Sequence, residues 1–137
     1  MLNTLATLLA AAALAIGIAT AAPAQQQDIE GTISRQFDAF RADDFATAFT
    51  FATPDLQRLF QSPQNFERMV TQGYPMVWRF RDVQFLDLRE EAGAMIQVVE
   101  VIDDRGARHL LAYRMEQTEA GWRIGGVQIL KQPGVAA

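Results

Sequence analysis

The sequence predicts an α+β domain in which N-terminal helices pack on a bent four-stranded antiparallel sheet. Two observations carry this. From about residue 28 to 73 the apolar residues recur three and four apart, and after Tyr74-Pro75 the period drops to two. The alternating stretches, about 78–89, 94–103, 108–117 and 122–131, are separated only by Glu90-Glu91-Ala92-Gly93, Asp103-Asp104-Arg105-Gly106 and Thr118-Glu119-Ala120-Gly121. Gaps that short permit only an antiparallel meander. Helices first and a contiguous sheet afterwards leave the helices on one face of that sheet.

Ahead of the domain, Leu5 to Ala22 is rich in Leu, Ala and Ile, carries no charge, and ends in Ala22-Pro23-Ala24. That is the small-x-small pattern a signal peptidase cuts. Residues 1–24 are therefore expected to be a signal peptide cleaved after Ala24, leaving 25–137 as a single domain in the periplasm. The polar run Gln25-Gln26-Gln27 reads as a linker. Met1-Leu2-Asn3-Thr4 supplies no Lys or Arg, and the alternative is an uncleaved anchor, since about 20 apolar residues can span a bilayer.

Within the domain, Ile29, Ile33, Phe37 and Phe40 mark a first helix, with Asp28 placed to cap it. Arg41-Ala42-Asp43-Asp44 interrupts the pattern, and Phe45, Ala48 and Phe49 resume it. Thr53-Pro54 and Ser62-Pro63 each place a capping hydroxyl before a proline suited to the first helical position. The second of these helices sets Phe66, Met69 and Val70 on one face and stops at Gly73.

In the central hairpin, Asp103 and Gly106 suit the first and fourth positions of a type I turn with a left-handed glycine. That register faces Val101 with His109, Val99 with Leu111, Gln97 with Tyr113 and Met95 with Met115, all toward the helices. Ile96, Val98, Glu100, Ile102, Arg108, Leu110, Ala112 and Arg114 then look outward, a mixture suited to a partner interface. A two-residue turn would exchange the two faces and bring Glu100 inward near His109. Gly125-Gly126 reads as a bulge bending the last strand, because no helix follows it to make a phosphate loop.

Composition excludes several classes. The net charge is −4, from 12 Lys and Arg against 16 Asp and Glu, with no basic run to meet nucleic-acid phosphates or an anionic membrane. Cysteine is absent and His109 is the single histidine, so zinc, copper and haem lack their usual ligands, and neither a metal nor another cofactor is expected. No Gly-x-Ser-x-Gly elbow or comparable nucleophile motif occurs.

Arg41-Ala42-Asp43-Asp44-Phe45, Gly73-Tyr74-Pro75-Met76-Val77-Trp78 and Gly121-Trp122-Arg123-Ile124 look like a bacterial family known as domain of unknown function 4864. The likeness covers about 28–135. More widely, the helices and closing strand are similar to NTF2-like (nuclear transport factor 2-like) cone domains. That resemblance implies a sheet wrapped over helices with a pocket between them. It implies no single activity, because the wider group includes isomerases, dehydratases, binding domains and oligomerisation modules. No catalytic residue carries over.

Five residues are candidates for ligand binding: Tyr74, Trp78, Gln97, His109 and Tyr113. Tyr113 facing Gln97 places a hydroxyl and an amide in an apolar pocket, the sparse polar pairing that ligand sites use, or simply a buried tyrosine satisfying itself. His109 has a side chain suited to proton transfer, against the plain reading of a histidine at a strand end. Tyr74 and Trp78 flank Pro75 as a pocket mouth or a packed elbow. Asp43-Asp44 reads as turn and cap chemistry, and Glu90, Glu91 and Glu116 as solvated turn charges. The leading expectation is a non-enzymatic periplasmic domain binding a small apolar ligand or a protein. The alternatives are an isomerase- or lyase-type enzyme using Tyr113 and His109, and a structural module that homodimerises through the outer sheet face.

Overall fold

The computed structural model describes residues 21–131. In chain order it contains α1 (Ala21–Arg41), α2 (Phe45–Thr50), α3 (Pro54–Phe60), α4 (Pro63–Gly73), α5 (Pro75–Trp78), β1 (Phe80–Glu91), β2 (Ala94–Asp103), β3 (Arg108–Thr118) and β4 (Gly121–Leu130). The four strands form one antiparallel sheet in the order β1-β2-β3-β4, with the helices packed against it. This is the predicted α+β architecture, consistent with an NTF2-like cone.

The helices follow local chemistry with two corrections, in α1 and α5. α1 carries Ile29, Ile33, Phe37 and Phe40 on its buried stripe, as the spacing requires. It reaches back at least to Ala21, so Gln25-Gln26-Gln27 is helix rather than linker and Asp28 lies in its interior rather than at its cap. Alanine and glutamine are good helix formers, and a helix anchored at Ile29 extends backward through them at little cost. Of the predicted signal peptide, residues 1–20 lie outside the described residues, while Ala22, Pro23 and Ala24 are exposed residues of α1.

Asp44 caps α2, its carboxylate accepting from the Thr47 backbone N–H at 3.1 Å and hydroxyl at 2.7 Å. Thr53 and Ser62 cap α3 and α4 at 3.2 Å each, with Pro54 and Pro63 inside the first turn. Residues 75–78, expected to belong partly to the first strand, instead form the one-turn α5. Pro75 presets the helical φ there, and the Val77 and Arg79 N–H groups close the turn on the Tyr74 and Pro75 carbonyls.

The sheet has the predicted register. Val101 faces His109, Val99 Leu111, Gln97 Tyr113 and Met95 Met115. The turn behind it is the expected one: Asp103 N–H donates to the Ala107 carbonyl at 2.9 Å and Gly106 adopts φ 85°. The first hairpin is tighter than the four-residue gap suggested. β1 runs on to Glu91, and Ala92 (φ 50°) and Gly93 (φ 81°) make a two-residue turn whose hand matches the strand twist.

Three register shifts bend the sheet. Two interrupt β1, between Phe80 and Asp82 and between Phe85 and Leu88, and the third leaves Gly125 unpaired in β4. A Cβ on Gly125 would collide with the Glu116 carboxylate, so Glu116 is half-buried across the bulge rather than a solvated turn charge. A short bridge completes the frame: Ala52 pairs in parallel with Ile124, the Thr53 N–H donating to the Ile124 carbonyl at 2.9 Å. The core lies between α1, α2, α4 and the inward side chains Val99, Val101, Leu111, Tyr113, Met115 and Ile124.

Candidate functional site

The bent β4 and the bridge to Ala52 hold the helices off one end of the sheet. A cavity of about 280 Å³ opens there. Tyr113, Ile124 and Val127 form its sheet side, and Gln36 and Phe40 of α1 its inner wall. Leu56 and Phe60 of α3 meet Phe66, Met69 and Val70 of α4 across the remaining side, with Tyr74 and Val77 at the following turn. No charged residue lines it. α3 contributes no buried residue, so it is a thin outer wall, with Leu59 72% exposed.

Three polar side chains interrupt this apolar surface. The Tyr74 hydroxyl donates to the Val127 carbonyl at 3.0 Å, tying the α4–α5 junction to β4. Gln36, 5% exposed, donates from Nε2 to the Ala48 carbonyl at 3.1 Å. Tyr113 is 1% exposed, and its hydroxyl makes no hydrogen bond to any described residue. Burial pushes its pKa up, with the neighbouring Tyr74 adding to the effect, so the phenol is a neutral donor at any physiological pH.

A second hollow, of about 340 Å³, lies between α5 and the β2–β3 turn. Met76, Trp78, Arg79, Asp103, Arg105 and His109 line it. His109 Nε2 lies 2.8 Å from Asp103 Oδ2, and Asp103 Oδ1 accepts from the Arg105 and Ala107 N–H groups at 2.9 Å each. The His109 hydrogen bond first, and the Ala107 N–H next, hold the Asp103 carboxyl below the usual carboxylate range. Trp78 Nε1 and Arg79 Nη2 both donate to Asp43 Oδ1 at 2.7 Å, with the guanidinium 4.2 Å over the indole ring. Those two bonds, Trp78 first, lower the Asp43 pKa. Asp43 and Asp44 are thus a tether and a cap, not a carboxylate pair.

The five sequence candidates therefore separate. Tyr74 and Tyr113 line the cavity, while Trp78 and His109 line the second hollow. His109 and Tyr113 stand four residue steps apart, roughly 13 Å along β3, so the proposed acid/base pair does not meet. Gln97 lines neither hollow. It faces Tyr113 in register, but its Nε2 turns to the β1 bulge, donating to the carbonyls of Leu86 at 3.0 Å, Asp87 at 3.3 Å and Val98 at 2.9 Å. Glu100 points outward and pairs with Arg108 at 2.5 Å, away from His109.

Gln36 was not anticipated, although one signal pointed to it. It stands three residues after Ile33 and beside Phe37, a polar residue on the stripe that faces the core.

Fold and site together define an α+β domain with an apolar, uncharged cavity between its sheet and its helices. Residues 22–137 match the family described as domain of unknown function (DUF4864), and the chain belongs to that family. No curated protein and no solved structure matches it.

Proposed function

We propose that this is an exported, non-enzymatic domain of NTF2-like type whose cavity takes up a small apolar molecule. The observation that carries the reading is the cavity itself: enclosed on several sides, lined by aliphatic and aromatic side chains, and empty of charge. Catalysis is less well supported, because the two groups it would use, Tyr113 and His109, open onto different hollows. Toluene titrated into the protein should shift the NMR signals of Val70, Tyr113 and Ile124 and raise the melting temperature by mass action. Shifts scattered over the surface would defeat the reading.

Export to the periplasm rests on the uncharged Leu5–Ala22 stretch and on Ala22-Pro23-Ala24. The exposure of residues 22–24 favours it, since the first buried residue of α1 is Ile29 and cleavage after Ala24 leaves the core whole. No helix of the described residues is long and apolar enough to cross a membrane. Intact-mass measurement of periplasmic protein should give a chain beginning at Gln25. Full-length protein confined to membranes would overturn this.

A second reading concerns the other sheet face. Ile96, Val98, Ile102, Leu110 and Ala112 stand half-buried on the side the helices leave open. A second copy fits it, because the Glu100–Arg108 pair in the stripe presents both signs of charge and is self-complementary about a two-fold axis. Burying the stripe gains roughly 25 cal/mol per Å² before association costs. Val98→Glu should then yield a folded monomer in analytical ultracentrifugation, against a wild-type dimer. A wild type monomeric at high concentration would end this reading.

A further inference from the structure

The two polar groups that the cavity leaves without partners define the head group it accepts. Tyr113 and Gln36 are both more than nine-tenths buried, and both line the cavity. The Gln36 amide is oriented by its Nε2 bond to the Ala48 carbonyl, which leaves Oε1 as an acceptor with no partner among the described residues. The Tyr113 hydroxyl likewise has none among them. Gln36 from α1 and Tyr113 from β3 line the same cavity of about 280 Å³, so one ligand can reach both.

Among the described residues, one unpartnered side-chain polar atom is sealed from solvent, Gln97 Oε1. The Tyr113 hydroxyl and Gln36 Oε1 are not sealed, and the space they reach is the cavity they line. Buried polar groups in native proteins are almost always satisfied, by protein, water or ligand. Here a neutral donor and an acceptor face an apolar chamber with no partner among the described residues.

We propose that the cavity selects an uncharged ligand, an apolar body carrying one hydroxyl-like head that accepts from Tyr113 and donates to Gln36. This rests on the reading of the cavity as a ligand site and names the chemical class it takes. A carboxylate is rejected, because no Lys or Arg lines the chamber to offset its desolvation and Gln36 Oε1 would repel it. A pure hydrocarbon enters but leaves both groups unbonded. A primary or aromatic alcohol satisfies both, since a hydroxyl is donor and acceptor at once.

Three probes of one size test this at pH 8: toluene, benzyl alcohol and benzoate, each titrated by NMR. Wild-type protein should bind toluene and benzyl alcohol at the cavity, and benzoate at least about a hundredfold more weakly than the alcohol. Tyr113→Phe should weaken benzyl alcohol about tenfold, the cost of one hydrogen bond, while toluene stays within about twofold. Gln36→Met, scored the same way, should give the same split, and toluene binding certifies that each variant is folded. Benzoate binding as tightly as benzyl alcohol would overturn the proposal. So would a Tyr113→Phe change that affects alcohol and hydrocarbon equally; the cavity would then remain a ligand site without head-group selection. If toluene itself fails to bind wild-type protein, the cavity reading and this proposal fall together. Should both variants fail to fold, the wild-type contrast between alcohol and benzoate decides alone.

Discussion

Replacing Phe66 by alanine should cost about 3–5 kcal/mol of folding stability, the largest effect expected of any single truncation in the helical layer. Phe66 is 4% exposed, and its ring touches three others, those of Phe40, Phe49 and Phe60, at centroid distances of 5.8, 5.4 and 5.7 Å. It thereby holds α1, α2, α3 and α4 to one another through a single side chain. Such a site cannot collapse when the ring is removed, because it already borders the cavity; the void would merge with it. Each kcal/mol lowers the melting temperature by roughly 4–8 °C in a domain of about this size. Urea titration checks the prediction through a lowered midpoint at unchanged slope. A loss below about 1 kcal/mol would mean that the aromatic cluster is not the hinge of the helical layer.

Gln97→Glu should be almost as damaging at neutral pH, and its damage should reverse in acid. Gln97 is fully buried, and its Nε2 serves the carbonyl oxygens of Leu86, Asp87 and Val98. A carboxylate there has no donor to give and meets three oxygens, in a place where charge is already costly. Leaving an uncompensated buried charge of this kind costs about 3–5 kcal/mol. Burial and the surrounding oxygens both favour the protonated acid, so the folded-state pKa lies above the unfolded value of about 4.3. The sign follows: relative to wild type, the variant is least impaired below that value, where the acid O–H can still donate. It loses about 1.4 kcal/mol per pH unit above it, until the folded-state pKa is reached. Urea midpoints at pH 4 and pH 8, variant against wild type, read this directly. An equal deficit at both would show that the charge has escaped to water.

The contrast between Gln97 and Tyr113 shows how much of the site was legible. Both were picked out from the register, and that register is the observed one, because Asp103 and Gly106 dictate the turn from four local residues. What each side chain does was not legible. Gln97 serves a bulge in β1 that depends on pairing between strands, so no local pattern announced it. His109 and Tyr113 share a face yet open on different hollows, since α1, α3 and α4 wall the one and α5 with the β2–β3 turn walls the other. Phe66, Met69 and Val70 read as one apolar helix face and proved to be cavity wall, because close packing depends on volumes contributed from several elements at once.

Taken alone, the sequence determined the α+β class, the Thr53 and Ser62 helix starts, the four strands, the hairpin register and the bulge at Gly125. All of these follow from backbone chemistry acting over a few residues: capping hydroxyls, proline φ, glycine freedom and the two periods of apolar side chains. Only the tertiary structure decided that α1 continues back through Gln25 to Ala21, that residues 75–78 turn as helix, and that Gln36 joins Tyr113 in an uncharged chamber. Those outcomes depend on where separate elements come to rest against one another. An unsatisfied hydroxyl in a cavity is a property of the packed whole that no short stretch of the chain contains.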